Sequence, residues 1–62
     1  MEGIAKWFSS KRDFGFITSG GKDYFVHISD VEGKSKLERG DKVFFEAKET
    51  RRGARAIKVK KI

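Results

Sequence analysis

Two adjacent glycines, Gly20 and Gly21, divide a stretch that otherwise reads as strand on both sides. They constrain this chain more than any other feature. The tight two-residue turns of β-hairpins need positive φ at their centre, and glycine reaches it without a Cβ clash. A turn centred between the two glycines pairs residues whose numbers sum to 41. Phe16 then faces Phe25, Phe14 faces His27, Ile17 faces Tyr24, and Gly15 faces Val26. Side chains alternate across a strand. Phe14, Phe16, Phe25 and His27 therefore share one face, and Ile17, Tyr24, Val26 and Ile28 share the other.

Polarity decides which face is core. Aromatic clusters more often lie inside, but His27 sits on the Phe face, and burying an imidazole requires a polar partner. The opposite face has the aliphatic set that a small core prefers. Ile17 and Val26 combine there with Val43, Ile57 and Val59 from later strands, with Ala5 filling space and Tyr24 reaching water through its hydroxyl. Phe8 is assigned to the core, and Phe44, which alternates outward, to covering a barrel flank rather than extending the binding surface. The Phe face is expected outside, where an apolar patch on a soluble protein marks an interaction site.

Strand-like runs cover residues 3–8, 13–18, 23–28, 42–48 and 54–61. In the fourth, Val43, Phe45 and Ala47 share a face; in the fifth, Ile57 and Val59 point inward, with Lys58 and Lys60 outward. The loop Thr50-Arg51-Arg52-Gly53 joins these two strands. Ser29-Asp30-Val31-Glu32 has capping-box spacing, but Gly33 follows at once, so at most one helical turn is expected after strand 3. No helix is available to cover a sheet edge, and closure removes edges altogether. The prediction is an all-β, five-stranded antiparallel barrel forming a single domain over residues 1–62.

A chain of 62 residues buries only roughly 60% of the surface it exposes when unfolded. Such chains lean on a disulfide, a metal or a very economical fold. With no Cys and one His, neither disulfide nor metal site can be built, and no cofactor is expected. Ser9, Ser10, Ser19, Ser29 and Ser35 have only His27 as a base, with no paired acid at a useful spacing. A binding protein is therefore expected, not an enzyme, and no small-molecule substrate. No apolar run approaches a membrane span, and the region around Glu2 lacks a signal-peptide core. No membrane partner is expected, and the lack of Cys agrees with a cytoplasmic location. A monomer is the expectation.

The net charge is +6. Residues 1–47 hold eight bases and eight acids and sum to zero. The surplus lies in 48–62, where Lys48, Arg51, Arg52, Arg55, Lys58, Lys60 and Lys61 face only Glu49. Such a surplus is either a solvated surface or the footprint of a polyanion. Outward rings interleaved with cations favour one polyanion. A single-stranded nucleic acid offers flat bases and charged phosphates in alternation. Bases stack on rings for about 1–3 kcal/mol each, whatever their identity, and cations hold the backbone and release counterions. A duplex would hide the base faces.

These residues resemble a known family. Lys6-Trp7-Phe8, Arg12-Asp13-Phe14-Gly15-Phe16-Ile17 and Tyr24-Phe25-Val26-His27-Ile28 are similar, in order, to the leading strand and the two ribonucleoprotein-like motifs of the cold-shock domain. Those motifs are usually written K-G-F/Y-G-F-I and V-F-V-H-F. The resemblance spans essentially the entire chain. It implies an OB-type barrel that binds single-stranded RNA and DNA with low sequence specificity and acts as a nucleic-acid chaperone. It also implies that Trp7, Phe14, Phe16, Phe25 and His27 stack on bases, and that Lys6, Arg12 and Arg52 hold the backbone or pack on bases. Asp23 falls where the family often has an acid that bonds a base edge. Trp7 is placed by the resemblance alone, because the first strand alternates poorly.

The chain departs from the family at three places. Asp13 replaces a Gly of the first motif, Ile28 replaces the aromatic that closes the second, and the loop from Gly33 to Gly40 is short and has no aromatic. With two rings fewer beside a basic tail, charge is expected to substitute for stacking. Salt dependence should then be steeper than in an aromatic-complete, acidic member. Two other classes compete. One is a small basic duplex-binding architectural protein that wedges apolar groups into the minor groove. The other is a barrel whose aromatic groove takes a proline-rich strand, which leaves the +6 charge unexplained.

Overall fold

The computed structural model describes all 62 residues. They form β1 (Glu2–Ser9), β2 (Phe14–Ser19), β3 (Lys22–His27), two single 3-10 turns (Ile28–Asp30 and Glu32–Lys34), β4 (Lys42–Thr50) and β5 (Gly53–Lys61). The strands close into a barrel in the order β1-β2-β3-β5-β4. Gly20 and Gly21 have φ of +58° and +80°, the double left-handed geometry of a type I′ hairpin turn. The β2–β3 register is the one the glycine pair dictates, with Phe14 on His27, Gly15 on Val26, Phe16 on Phe25 and Ile17 on Tyr24.

One seam differs from the antiparallel expectation. β1–β2, β1–β4, β2–β3 and β4–β5 are antiparallel, but β3 and β5 meet in parallel at Phe25 and Arg55. The chain leaves β3, crosses through the 3-10 turns, and returns by the β4–β5 hairpin, so β5 arrives running the same way as β3. A second parallel bridge, Val31 to Val59, fastens the crossing segment to the barrel. The helical segment also differs in its cap. It is His27, not Ser29, that caps the first turn, its side chain accepting from the Ser29 N–H.

The core is Ala5, Ile17, Tyr24, Val26, Val31, Leu37, Val43, Phe45, Ala56 and Val59. Phe8 is half-buried and packs against this cluster. No buried side-chain nitrogen or oxygen lacks a partner. Ile57, expected inward, is only half-buried, and Ala56 takes its place. The cause is a bulge. The register shifts between Phe44 and Glu46, and Lys58 on the facing stretch of β5 has φ +52°. The extra residue switches the side-chain phase, so both Ala56 and Val59 point inward. Ile28 is half-buried, not core, because the strand has already given way to the 3-10 turn. Ala47 is exposed where the β4–β5 ribbon runs past the core, and Phe44 points outward and is 52% exposed.

Candidate nucleic-acid interface

β1 carries a second bulge, between Ala5 and Trp7. Ala5 points inward and is buried, while Lys6 and Trp7 are both exposed. Past the bulge Trp7 pairs with Phe16, which pairs with Phe25 on β3. One row of three side chains thus crosses three strands on the outer surface. Phe14 and His27 form the next row.

The four rings touch in a closed circuit. Ring centroids lie 5.6 Å apart for Trp7–Phe14, 5.7 Å for Trp7–Phe16, 5.6 Å for Phe14–Phe25 and 5.8 Å for Phe16–Phe25. Edge-to-face and tilted contacts of this kind are favourable without demanding a sandwich. The cluster is outside the barrel, as expected. Its members shield each other, so the three Phe rings are half-buried and Trp7, 41% exposed, is the most open.

Polar groups frame the rings. Lys6 Nζ donates to Asp23 Oδ2 at 3.0 Å, and Thr18 Oγ1 donates to Asp23 Oδ1 at 2.9 Å. The bonds from the Lys6 ammonium and the Thr18 hydroxyl hold the exposed Asp23 carboxyl below its usual range. The Ser29 N–H donates to His27 Nδ1 at 3.1 Å. Nδ1 is therefore the acceptor, and the neutral ring carries its proton on Nε2 as a free donor. Arg12 is exposed in the turn before Phe14, where Ser9 Oγ accepts its backbone N–H at 3.2 Å. Asp13 does occupy a left-handed position, with φ +60°, and lies 3.7 Å from Lys36.

Arg52 is exposed in the β4–β5 turn on the opposite flank. With Phe25, Thr50, Gly53, Ala54 and Arg55 it lines a cavity of about 160 Å³. A larger cavity, about 360 Å³, lies away from the rings between the first 3-10 turn and the Lys58–Lys60 stretch of β5. All nine residues singled out from the sequence thus fall on the outer surface of β1–β3 or on the two turns bordering it. The structure adds Arg55, whose Cζ lies over the Phe25 ring at 5.9 Å from its centroid. Alternation from Ile57 and Val59 would turn Arg55 inward. Only the bulge at Lys58 turns it out, and no sequence pattern announced that bulge.

Residues 1–62 match the family model described as the 'Cold-shock' DNA-binding domain. Among curated proteins, the chain is 48% identical to the cold shock-like protein CspLB of Listeria monocytogenes, over 97% of this chain and 96% of that one. It is 44% identical to the cold shock protein CspD of Bacillus subtilis, over 100% and 98%. It is 41% identical to the major cold shock protein of Streptococcus pyogenes, over 98% and 96%.

Proposed function

The chain belongs to the cold-shock DNA-binding domain family, and on that premise we propose that it binds single-stranded RNA and DNA with low sequence specificity. Unpaired bases stack on Trp7, Phe14, Phe16, Phe25 and His27. Lys6, Arg12 and Arg52 hold the phosphates, and Asp23 accepts from a base edge. By taking up bases that would otherwise pair, the protein acts as a nucleic-acid chaperone that prevents or melts secondary structure.

One observation carries this reading: four mutually touching rings stand outside the barrel, with cations on both flanks. Inside the barrel the core is complete without them. A ring-lined surface suits free base faces, each stack contributing about 1–3 kcal/mol. Duplex DNA would meet this surface with its phosphates only.

Titration with oligo-dT, followed by the fluorescence of Trp7, tests the proposal. Trp7 is the only Trp, so quenching reports its own stacking. Phe16→Ala and Phe25→Ala should each weaken binding by roughly 1–3 kcal/mol while the barrel remains folded. A duplex of equal charge should compete poorly. Equal competition by the duplex, or full affinity in both truncations, would reject base stacking on this face.

A further inference from the structure

Arg55 is held at the edge of the ring platform from two sides. Its Nε and Nη2 both donate to Asp30 Oδ2, at 2.9 and 2.6 Å, and its Cζ lies 5.9 Å from the Phe25 centroid. The two anchors come from different segments. Asp30 ends the first 3-10 turn, and Phe25 is the residue that Arg55 meets across the parallel β3–β5 seam. The side chains of Arg55 and Asp30 are 37% and 23% exposed, the least exposed ion pair in the molecule.

Asp30 neutralises most of the Arg55 charge at contact distance, so Arg55 is a poorer phosphate hook than Arg52, which has no acidic partner. The pair instead fixes an orientation. Asp30 occupies the inner edge of the guanidinium, formed by Nε and one N–H of Nη2. The Nη1 group and the outer N–H of Nη2 have no protein partner. Those form a fork of two roughly parallel donors, already oriented before any ligand arrives. Phe25 and Arg55 line one cavity of about 160 Å³, so a base seated against Phe25 lies within reach of the guanidinium.

A donor fork selects an edge with two adjacent acceptors. Guanine presents N7 and O6, whereas adenine sets an amino donor beside N7 and thymine offers a lone O4 beside its methyl. Cytosine has O2 and N3 on its pairing edge but lays a smaller face on Phe25. We propose that Arg55, with Asp30 as its positioning residue, gives this otherwise tolerant surface a preference for guanine at the nucleotide seated on Phe25. The inference rests on the single-strand reading above.

The test moves one dG through a short oligo-dT and compares it, position by position, with dA and with 7-deaza-dG, which lacks the N7 acceptor. At one position dG should bind at least about fivefold tighter than 7-deaza-dG, the low end of what a bidentate arginine–guanine pair supplies. Arg55→Lys retains the charge and loses the fork. It should abolish that ratio, bringing dG and 7-deaza-dG to one affinity at every position. Asp30→Asn should shrink the ratio while oligo-dT binding holds or strengthens, because the Arg55 charge is no longer offset; general loosening of the fold would weaken both. Equal affinity for dG and 7-deaza-dG at every position, with oligo-dT still bound, overturns this inference alone. A preference that survives Arg55→Lys overturns it too. Failure of oligo-dT to bind at all overturns the reading beneath it.

Discussion

Gly15 lies directly against the main chain of Phe8: a Cβ built on Gly15 would sit 2.7 Å from the Phe8 Cα and would collide with the Trp7 carbonyl oxygen. These are backbone atoms, which cannot swing aside as a side chain can. The glycine between Phe14 and Phe16 therefore lets β1 approach β2 closely enough to lay Trp7 beside both rings.

Gly15→Ala should destabilise the fold by roughly 1–3 kcal/mol, the usual cost of overpacking, and should change the Trp7 emission of the free protein. Urea denaturation followed by fluorescence reads both. An unchanged midpoint and spectrum would mean that β1 has room to move.

Lys58 gives the opposite kind of test. It stands mid-strand, where β-propensity would favour a branched residue, yet its φ is +52°. A left-handed position costs a non-glycine residue roughly 1–2 kcal/mol, and a β-branched one more. Lys58→Gly should therefore hold or raise stability by up to about 1 kcal/mol, whereas Lys58→Val should lower it. Its exposed pairing with Glu46, at 3.8 Å, contributes little either way. The reverse order of the two melting midpoints would show that the bulge is absent in solution.

The same two bulges mark the limit of what the sequence discloses. Regular alternation from Gly20 and Gly21 was enough to place Phe14, Phe16, Phe25 and His27 on one face with the right partners. Alternation cannot place Trp7 because Lys6 and Trp7 both point out, and it turns Ile57 inward because it passes over the phase shift at Lys58 in β5. A bulge is one unmatched residue whose position depends on how two distant strands meet, so period-two reading passes over it. Val31 and Leu37 are buried singly, in segments without strand or helix period. A lone apolar residue in a polar loop gives no pattern to read.

Acid should weaken the fold through Asp23. An Asp carboxyl ordinarily titrates near 3.8, and the bonds from Lys6 and Thr18 lower this one. A group whose folded pKa is depressed contributes stability above its unfolded value and loses it as pH falls through the folded one. The Asp23 contribution should thus be complete at neutral pH and decline below about pH 4. Asp23→Asn should flatten that part of the stability profile and leave the wild-type pH dependence above pH 5 unchanged. Identical acid limbs in the two proteins would remove Lys6 and Thr18 as significant partners in solution.

Salt titration separates cations that face the ligand from those already paired. Of the seven bases in the tail, Arg55, Lys58 and Lys61 lie within ion-pair distance of Asp30, Glu46 and Asp41, while Lys48, Arg51, Arg52 and Lys60 have no such partner. Arg52 also borders the Phe25 cavity, whereas Lys58 borders the larger one behind the 3-10 turn. For single strands, the slope of log K against log salt is about −0.7 per phosphate contact. Arg52→Gln should therefore reduce its magnitude by about 0.7, and Lys58→Gln should leave it unchanged. Equal reductions in both would make the tail a diffuse field, with no cation assigned to a particular phosphate. A wild-type slope near zero would go further and refute the substitution of charge for the missing rings at Ile28 and in the 33–40 loop.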